Sequence, residues 1–219
     1  MKTFNQSWLA SYFIAGTQDV ADNQLLPTLE RALKSGISCF QFREKNPLNP
    51  LTRIQKKTLA IECQRLCTKY QVPFFIDDDL PLALEIQADG IHVGQNDQKI
   101  QNVIDQSAGQ LLIGFSCQTP EKIKQANQLS GIAYIGSGPV FPTKSKSDAT
   151  APLGIAGLNQ LLSISQLPIV AIGGISENNL AELATTTVSG VAVISLIAKS
   201  PNIEQTVQSI NHYFKLEDN

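Results

Sequence analysis

Charged and hydroxyl side chains gather at a few points of this chain, each just after a short apolar run. The densest is Tyr134 to Asp148, YIGSGPVFPTKSKSD, where Tyr134 and Ile135 read as the end of a buried strand. Gly136, Gly138 and Pro139 then force a turn, and Thr143, Lys144, Ser145 and Lys146 follow. Neutral donors beside ammonium groups suit phosphate oxygens, although plain solvent exposure produces the same kind of loop. In QFREK, Arg43 and Lys45 share one side of an extended chain with Gln41 beside them. Arginine grips phosphate as a fork and lysine as a point charge, so the pair suits a diphosphate; the alternative is a surface cluster of Arg43, Glu44 and Lys45.

Acidic groups come next. Asp77, Asp78 and Asp79 end a third apolar run, and a fourth, GIHV, leads through His92 to Asp97. Carboxylates from adjacent strand ends can converge on one Mg2+, which accepts one or two of them and leaves its other positions to water and phosphate oxygens. The plainer readings are that Asp79 caps the following helix, which fits it best, and that Asp97 makes an Asx turn. His92 reads as a buried strand-end residue and not as a base, and His212 as a surface group. Gly173 and Gly174 in AIGGIS let backbone N–H groups approach a ligand without an intervening Cβ. Ile194 and Ser195 stand directly before a helix, whose first N–H groups favour an anion. For both, a tight strand-to-helix turn is the alternative.

The elements that must position these groups alternate regularly. Strands are expected at 11–16, from Cys39, at 73–76, from Gly90, from Leu111, from Tyr134, at 168–172 and from Gly190. Helices are expected at 25–35, 50–70, 80–87, 100–108, from Pro120 with Thr119 as N-cap, at 155–164, at 178–184 and from Leu196 towards Phe214. Runs such as PIVAI and GVAVI are apolar throughout, as parallel strands covered on both faces require. Eight such units in 219 residues predict a single α/β domain over 1–219, a (β/α)8 TIM barrel, with 1–9 and 216–219 as peripheral tails. A doubly wound open sheet is the second choice. The barrel requires functional groups just after strands, at its C-terminal face.

Composition limits the partners. A net charge of -2, from 17 Lys+Arg and 19 Asp+Glu, provides no basic field for nucleic acid or anionic membrane. Apolar runs fall short of the ~20 residues that cross a bilayer, and Met1 to Trp8 lacks the pattern of a secretion signal, so a cytoplasmic location is expected. The four cysteines form neither CxxC nor a zinc pattern and read as free, buried or half-buried thiols. The oligomeric state is not fixed by the sequence, and a homodimer stays open.

Taken together and in order, FQFREK, FIDDDLPLAL, DGIHVGQND, GFSCQT, YIGSGPVFPTKSK, PIVAIGGIS and GVAVIS closely resemble the thiamine-phosphate synthase family of (β/α)8 enzymes in vitamin B1 biosynthesis. The resemblance implies a Mg2+-dependent transferase. It would pass a pyrimidinylmethyl group from hydroxymethylpyrimidine diphosphate to the ring nitrogen of thiazole phosphate, releasing pyrophosphate by a dissociative path. By matching position it implies that Gln41, Phe42, Arg43, Glu44, Lys45, Asp77, Ser116 and Lys146 meet the pyrimidine diphosphate, with Arg43, Lys45, Ser116 and Lys146 catalytic. Asp78 and Asp97 would hold Mg2+, and Thr143, Lys144, Ser145, Gly174, Ile194 and Ser195 would form the thiazole phosphate site. Two positions depart from the family pattern: Asp77 replaces its usual Asn, and Gln118 stands where a His is common. The alternatives are a thiazole tautomerase-type isomerase and a non-catalytic thiazole or thiamine phosphate-binding protein.

Overall fold

Strands apolar on both faces need cover on both, and this chain supplies it by closing its sheet. The structure is a computed structural model that describes residues 3–46, 48–95, 97–143 and 151–214. β1 (Ser11–Ala15), β2 (Cys39–Phe42), β3 (Phe74–Asp77), β4 (Gly90–Val93), β5 (Leu112–Ser116), β6 (Ile132–Ser137), β7 (Ile169–Ile172) and β8 (Gly190–Val193) are parallel. They pair in sequence order, and β8 returns to β1, so the expected barrel is the observed fold and the open sheet is not.

Helices α1 (Leu25–Lys34), α2 (Arg53–Lys69), α3 (Leu80–Glu85), α4 (Ile100–Ser107), α5 (Pro120–Ala126), α6 (Gly154–Ile164) and α7 (Leu180–Leu183) each follow the strand of the same number. After β8 come α8 (Ser195–Ala198) and α9 (Ile203–Phe214). Period-two alternation sorts the strand residues into two cores. Phe13, Phe40, Phe74, Ile91, Ile135 and Val191 pack outward under the helices, whereas Tyr12, Cys39, Phe75, Leu112, Tyr134 and Val170 fill the lumen.

Several boundaries differ from those expected. α2 begins at Arg53 and not at Pro50, because Thr52 and Gln55 form a capping box. β6 begins two residues early and holds Gly136 and Ser137 in the ladder, so the turn starts at the cis Gly138–Pro139 bond. The single terminal helix expected from Leu196 is two helices, since Pro201 offers no N–H and disfavours helical backbone at Ser200.

The amino terminus is also corrected from residue 4 onward. Leu9 is 1% exposed, Phe4 stacks on Tyr134 at 5.9 Å between ring centroids, and Trp8 meets Phe4 edge-on at 6.0 Å. These residues close the lower mouth of the lumen instead of trailing from it. Residues 216–219, the other expected tail, lie outside the described residues. All four cysteines are free and buried. Among the described residues, no helix is long and apolar enough to cross a membrane.

Candidate active site

At the C-terminal ends of the strands the barrel opens into a cavity of about 280 Å3. The ends of β2 to β4 supply Arg43, Lys45, Asp77, Asp78 and Asp97, while the segments after β6 to β8 supply Thr143, Gly174, Ile194 and Ser195. Ser116, at the end of β5, lies between the two groups in barrel order. Groups distant in sequence meet here because every parallel strand ends at the same face.

The charged wall is tightly coupled. Asp77 Oδ2 lies 3.4 Å from Arg43 Nε and 3.3 Å from Lys45 Nζ, and Lys45 also pairs directly with Asp78. Asp77 is buried and its Oδ2 forms no hydrogen bond, so it faces two cations without accepting a close hydrogen bond from either. Burial works against the Lys45 charge, but Asp77 and Asp78 outweigh it and hold the ammonium pKa above its ordinary value. Asp78 is pushed up to about 7, first by burial, then by its hydrogen bond to Asp97 and the Asp77 charge. Burial would also raise Asp97, yet hydrogen bonds from Asp78 and from the Gly94 N–H, at 2.6 Å, hold it below the usual carboxylate range. That contact replaces the Asx turn. The two neighbouring carboxyl groups are thus displaced in opposite directions, Asp78 towards holding a proton and Asp97 towards the carboxylate.

Two carboxylates close enough to shift each other's titration form an oxygen donor set that a hard divalent cation suits. Among the described residues no group of three or more His, Cys, Asp and Glu ligands occurs. A two-carboxylate site, completed by water or ligand oxygens, fits Mg2+. Asp78 adopts φ +61°, a left-handed conformation uncommon outside glycine although aspartate tolerates it better than most. Its N–H donates to the His92 carbonyl at 2.9 Å, which fixes the end of β3 beside β4. Asp79 caps α3 through the Leu82 N–H at 3.1 Å and pairs with Lys56 at 2.8 Å, as its helix-capping reading anticipated.

The opposite wall depends on close backbone approach. Gly174 has φ +69°, and a Cβ there would come within 2.5 Å of both the Phe141 and Pro142 carbonyl oxygens. The Val140 N–H donates to Ile172 O at 2.9 Å and the Phe141 N–H to Gly173 O at 3.0 Å. The segment after β6 is thereby tied to the segment after β7, which brings Thr143 into the cavity.

Three expected side chains do not line the cavity. Gln41 lies beneath it, bonded to Tyr12; Phe42 points outward into the helix-facing core; and Glu44 accepts from the Thr17 N–H and hydroxyl at 2.8 and 2.7 Å. Alternation explains Phe42, because strand neighbours point to opposite faces. Lys144, Ser145 and Lys146 lie outside the described residues. The sequence reading missed His92, Gln95 and Lys122, all of which line the cavity together with Gln118. His92 was recoverable by parity, since β4 sends Gly90 and His92 to the same face as Phe75 and Asp77 of its neighbour. Lys122 reads in sequence as the polar face of a surface helix.

Comparisons with known proteins agree with this layout. The family profile described as thiamine monophosphate synthase matches residues 11–197. A thiamine-phosphate synthase of Listeria monocytogenes is 50% identical over 205 residues, covering 93% of this chain and 96% of that protein. A thiamine-phosphate synthase of Latilactobacillus sakei is 47% identical over 211 residues, covering 96% and 94%. The solved thiamine phosphate pyrophosphorylase of Pyrococcus furiosus superposes with a TM-score of 0.82 at 26% identity, covering 95% of this chain and 97% of that one. The chain, with its eight-stranded barrel and its cation and carboxylate groups at the strand ends, belongs to the thiamine monophosphate synthase family.

Proposed function

We propose that this protein is a thiamine-phosphate synthase. It joins the pyrimidinylmethyl group of hydroxymethylpyrimidine diphosphate to the nitrogen of thiazole phosphate and releases pyrophosphate. The observation that carries the reading is one cavity in which Arg43, Lys45, Asp78 and Asp97 stand across from Thr143, Gly174 and Ser195. Two phosphorylated ligands can therefore be held with their reacting atoms between the walls.

In this reading Arg43 and Lys45 grip the diphosphate and stabilise the charge that develops on its bridging oxygen as the carbon–oxygen bond breaks. The electron pair leaves with pyrophosphate, and the pyrimidine's amino group spreads the positive charge left on carbon. The thiazole nitrogen then forms the new bond, without a protein nucleophile. Ser116 orients the pyrimidine, and the Gly174 and Ser195 segments anchor the thiazole phosphate. Asp78 and Asp97 would hold Mg2+, which when bound neutralises charge on the departing pyrophosphate. Positioning two reactants and stabilising charge is sufficient for large accelerations. Lys144, Ser145 and Lys146 join this proposal from sequence alone. No geometric observation favours an isomerase or a phosphate sensor, and the Listeria monocytogenes and Latilactobacillus sakei relatives, at 50% and 47% identity, are thiamine-phosphate synthases.

Metal dependence is tested by removal. EDTA should abolish pyrophosphate release and excess Mg2+ should restore it, while Asp78→Asn and Asp97→Asn should each raise the Mg2+ requirement. Turnover unaffected by EDTA would refute the carboxylate assignment.

A further inference from the structure

The lumen beneath the cavity is crossed by a line of polar groups. The Gln41 amide Nε2 donates to Tyr12 Oη at 2.9 Å, and the phenol oxygens of Tyr12 and Tyr134 lie 2.9 Å apart. Tyr134 Oη is 3.1 Å from His92 Nδ1, and His92 Nε2 is 2.9 Å from Ser116 Oγ. Five side chains from five strands thus form one continuous path from a buried amide to a hydroxyl on the cavity wall. Gln41, Tyr12 and Tyr134 are buried, so each polar atom left without a partner would be costly, whereas apolar side chains could fill the same space.

Space is reserved for this path. A Cβ at Gly114 would collide with the Tyr134 phenol and with His92 Nδ1, and one at Gly136 would sit 3.0 Å from His92 Cε1. Strand glycines are otherwise unfavourable, and here they mark a close approach.

Proton counting gives the path a direction. Tyr12 Oη accepts from Gln41, so its one proton goes on to Tyr134; the nearby Cys39 sulfur is a much weaker acceptor. Tyr134 then donates to His92 Nδ1, which leaves the imidazole proton on Nε2, pointing at Ser116 Oγ. With that lone pair occupied, the Ser116 proton is turned towards the cavity.

We propose that Tyr12, Tyr134 and His92 are positioning residues: a polarised hydrogen-bond chain that fixes Ser116 as a donor to an acceptor atom of the bound pyrimidine diphosphate. The ligand end of this proposal rests on the reading of Ser116 as a pyrimidine contact. The chain itself does not.

The test uses the full-length protein, with imidazole 15N NMR and steady-state kinetics together. Only two histidines are present, and His212→Gln on the exposed face of α9 assigns the spectrum. Neutral His92 with its proton on Nε2 is expected; a proton on Nδ1 would overturn the chain without touching the site assignment. Tyr134→Phe removes one hydroxyl at nearly constant volume. It should release the fixed tautomer and raise KM for the pyrimidine diphosphate about five- to thirty-fold, with KM for thiazole phosphate within about twofold. Equal rises in both constants, or none, would contradict a positioning role. Should Tyr134→Phe fold poorly, the wild-type tautomer still decides the direction. If Ser116→Ala leaves KM for the diphosphate unchanged while Nε2 carries the proton, the Ser116 contact fails and the ligand end of the proposal fails with it.

Discussion

At the scale of single residues, Asp77, which the resemblance sets apart from the Asn expected there, is the most informative position. Its carboxylate sits 3.3–3.4 Å from the two cations assigned to the diphosphate and so competes with the ligand for them. Asp77→Asn should lower KM for the pyrimidine diphosphate about three- to ten-fold, the scale of removing one partly screened like charge; a raised KM would assign Asp77 to the metal shell instead. Arg43→Ala should reduce kcat about 10²- to 10³-fold with a smaller effect on KM, because the charge it meets develops in the transition state. The thiols give a pH test. Burial pushes Cys117 up to about 12 and raises Cys39, Cys63 and Cys67 as well, so the thiolate fraction stays negligible until pH approaches the raised value. None of the four should react with a maleimide at pH 8 in the native protein, and all four should react after denaturation; rapid native labelling would contradict the burial. Residue types alone brought Arg43, Lys45, the run Asp77, Asp78 and Asp79, and Asp97 to the open mouth of the barrel, since a charge directly after an apolar parallel strand falls there. The choice of Asp78 within its run came from the family resemblance. They did not reveal that Glu44 is engaged by Thr17, or that Gln41 works from below, because side-chain partners depend on contacts between strands that sequence spacing does not encode.

At the scale of elements, the phosphate-side wall depends on the close packing of the segments after β6 and β7. Gly174→Ala forces a left-handed conformation and a collision with two carbonyl oxygens, and should cost about 1–3 kcal/mol of stability. It should also raise KM for thiazole phosphate more than KM for the diphosphate; the reverse order would place the thiazole phosphate elsewhere. The glycine pair was legible in sequence because the position after strand seven gives it a purpose. Element boundaries were less legible. Thr52 trims α2 by a side-chain cap, and Pro201 divides the last helix, effects that short-range competition decides after periodicity has marked the helical region.

For the molecule as a whole, barrel closure is what brings the two walls together. Runs apolar on both faces announced parallel strands, and the count of eight strand–helix units in 219 residues favoured a closed barrel over an open sheet. What periodicity could not announce is the seal at the lower mouth. Phe4, Trp8 and Leu9 belong to no strand or long helix, so they read as a tail; their burial follows from the lumen needing a cap. Leu9→Ala should lower Tm by about 5–15 °C through the cavity it leaves. Because the chain has a single tryptophan, Trp8 fluorescence should report unfolding of that seal directly, and an unchanged Tm would return residues 4–9 to a peripheral role. The central claim is that one cavity holds both phosphorylated substrates and expels pyrophosphate between them. The most direct measurement is pyrophosphate release with both authentic substrates and Mg2+. Equal amounts of pyrophosphate and thiamine phosphate, with neither formed when one substrate is omitted, are the predicted result; binding of both substrates without pyrophosphate release would contradict it.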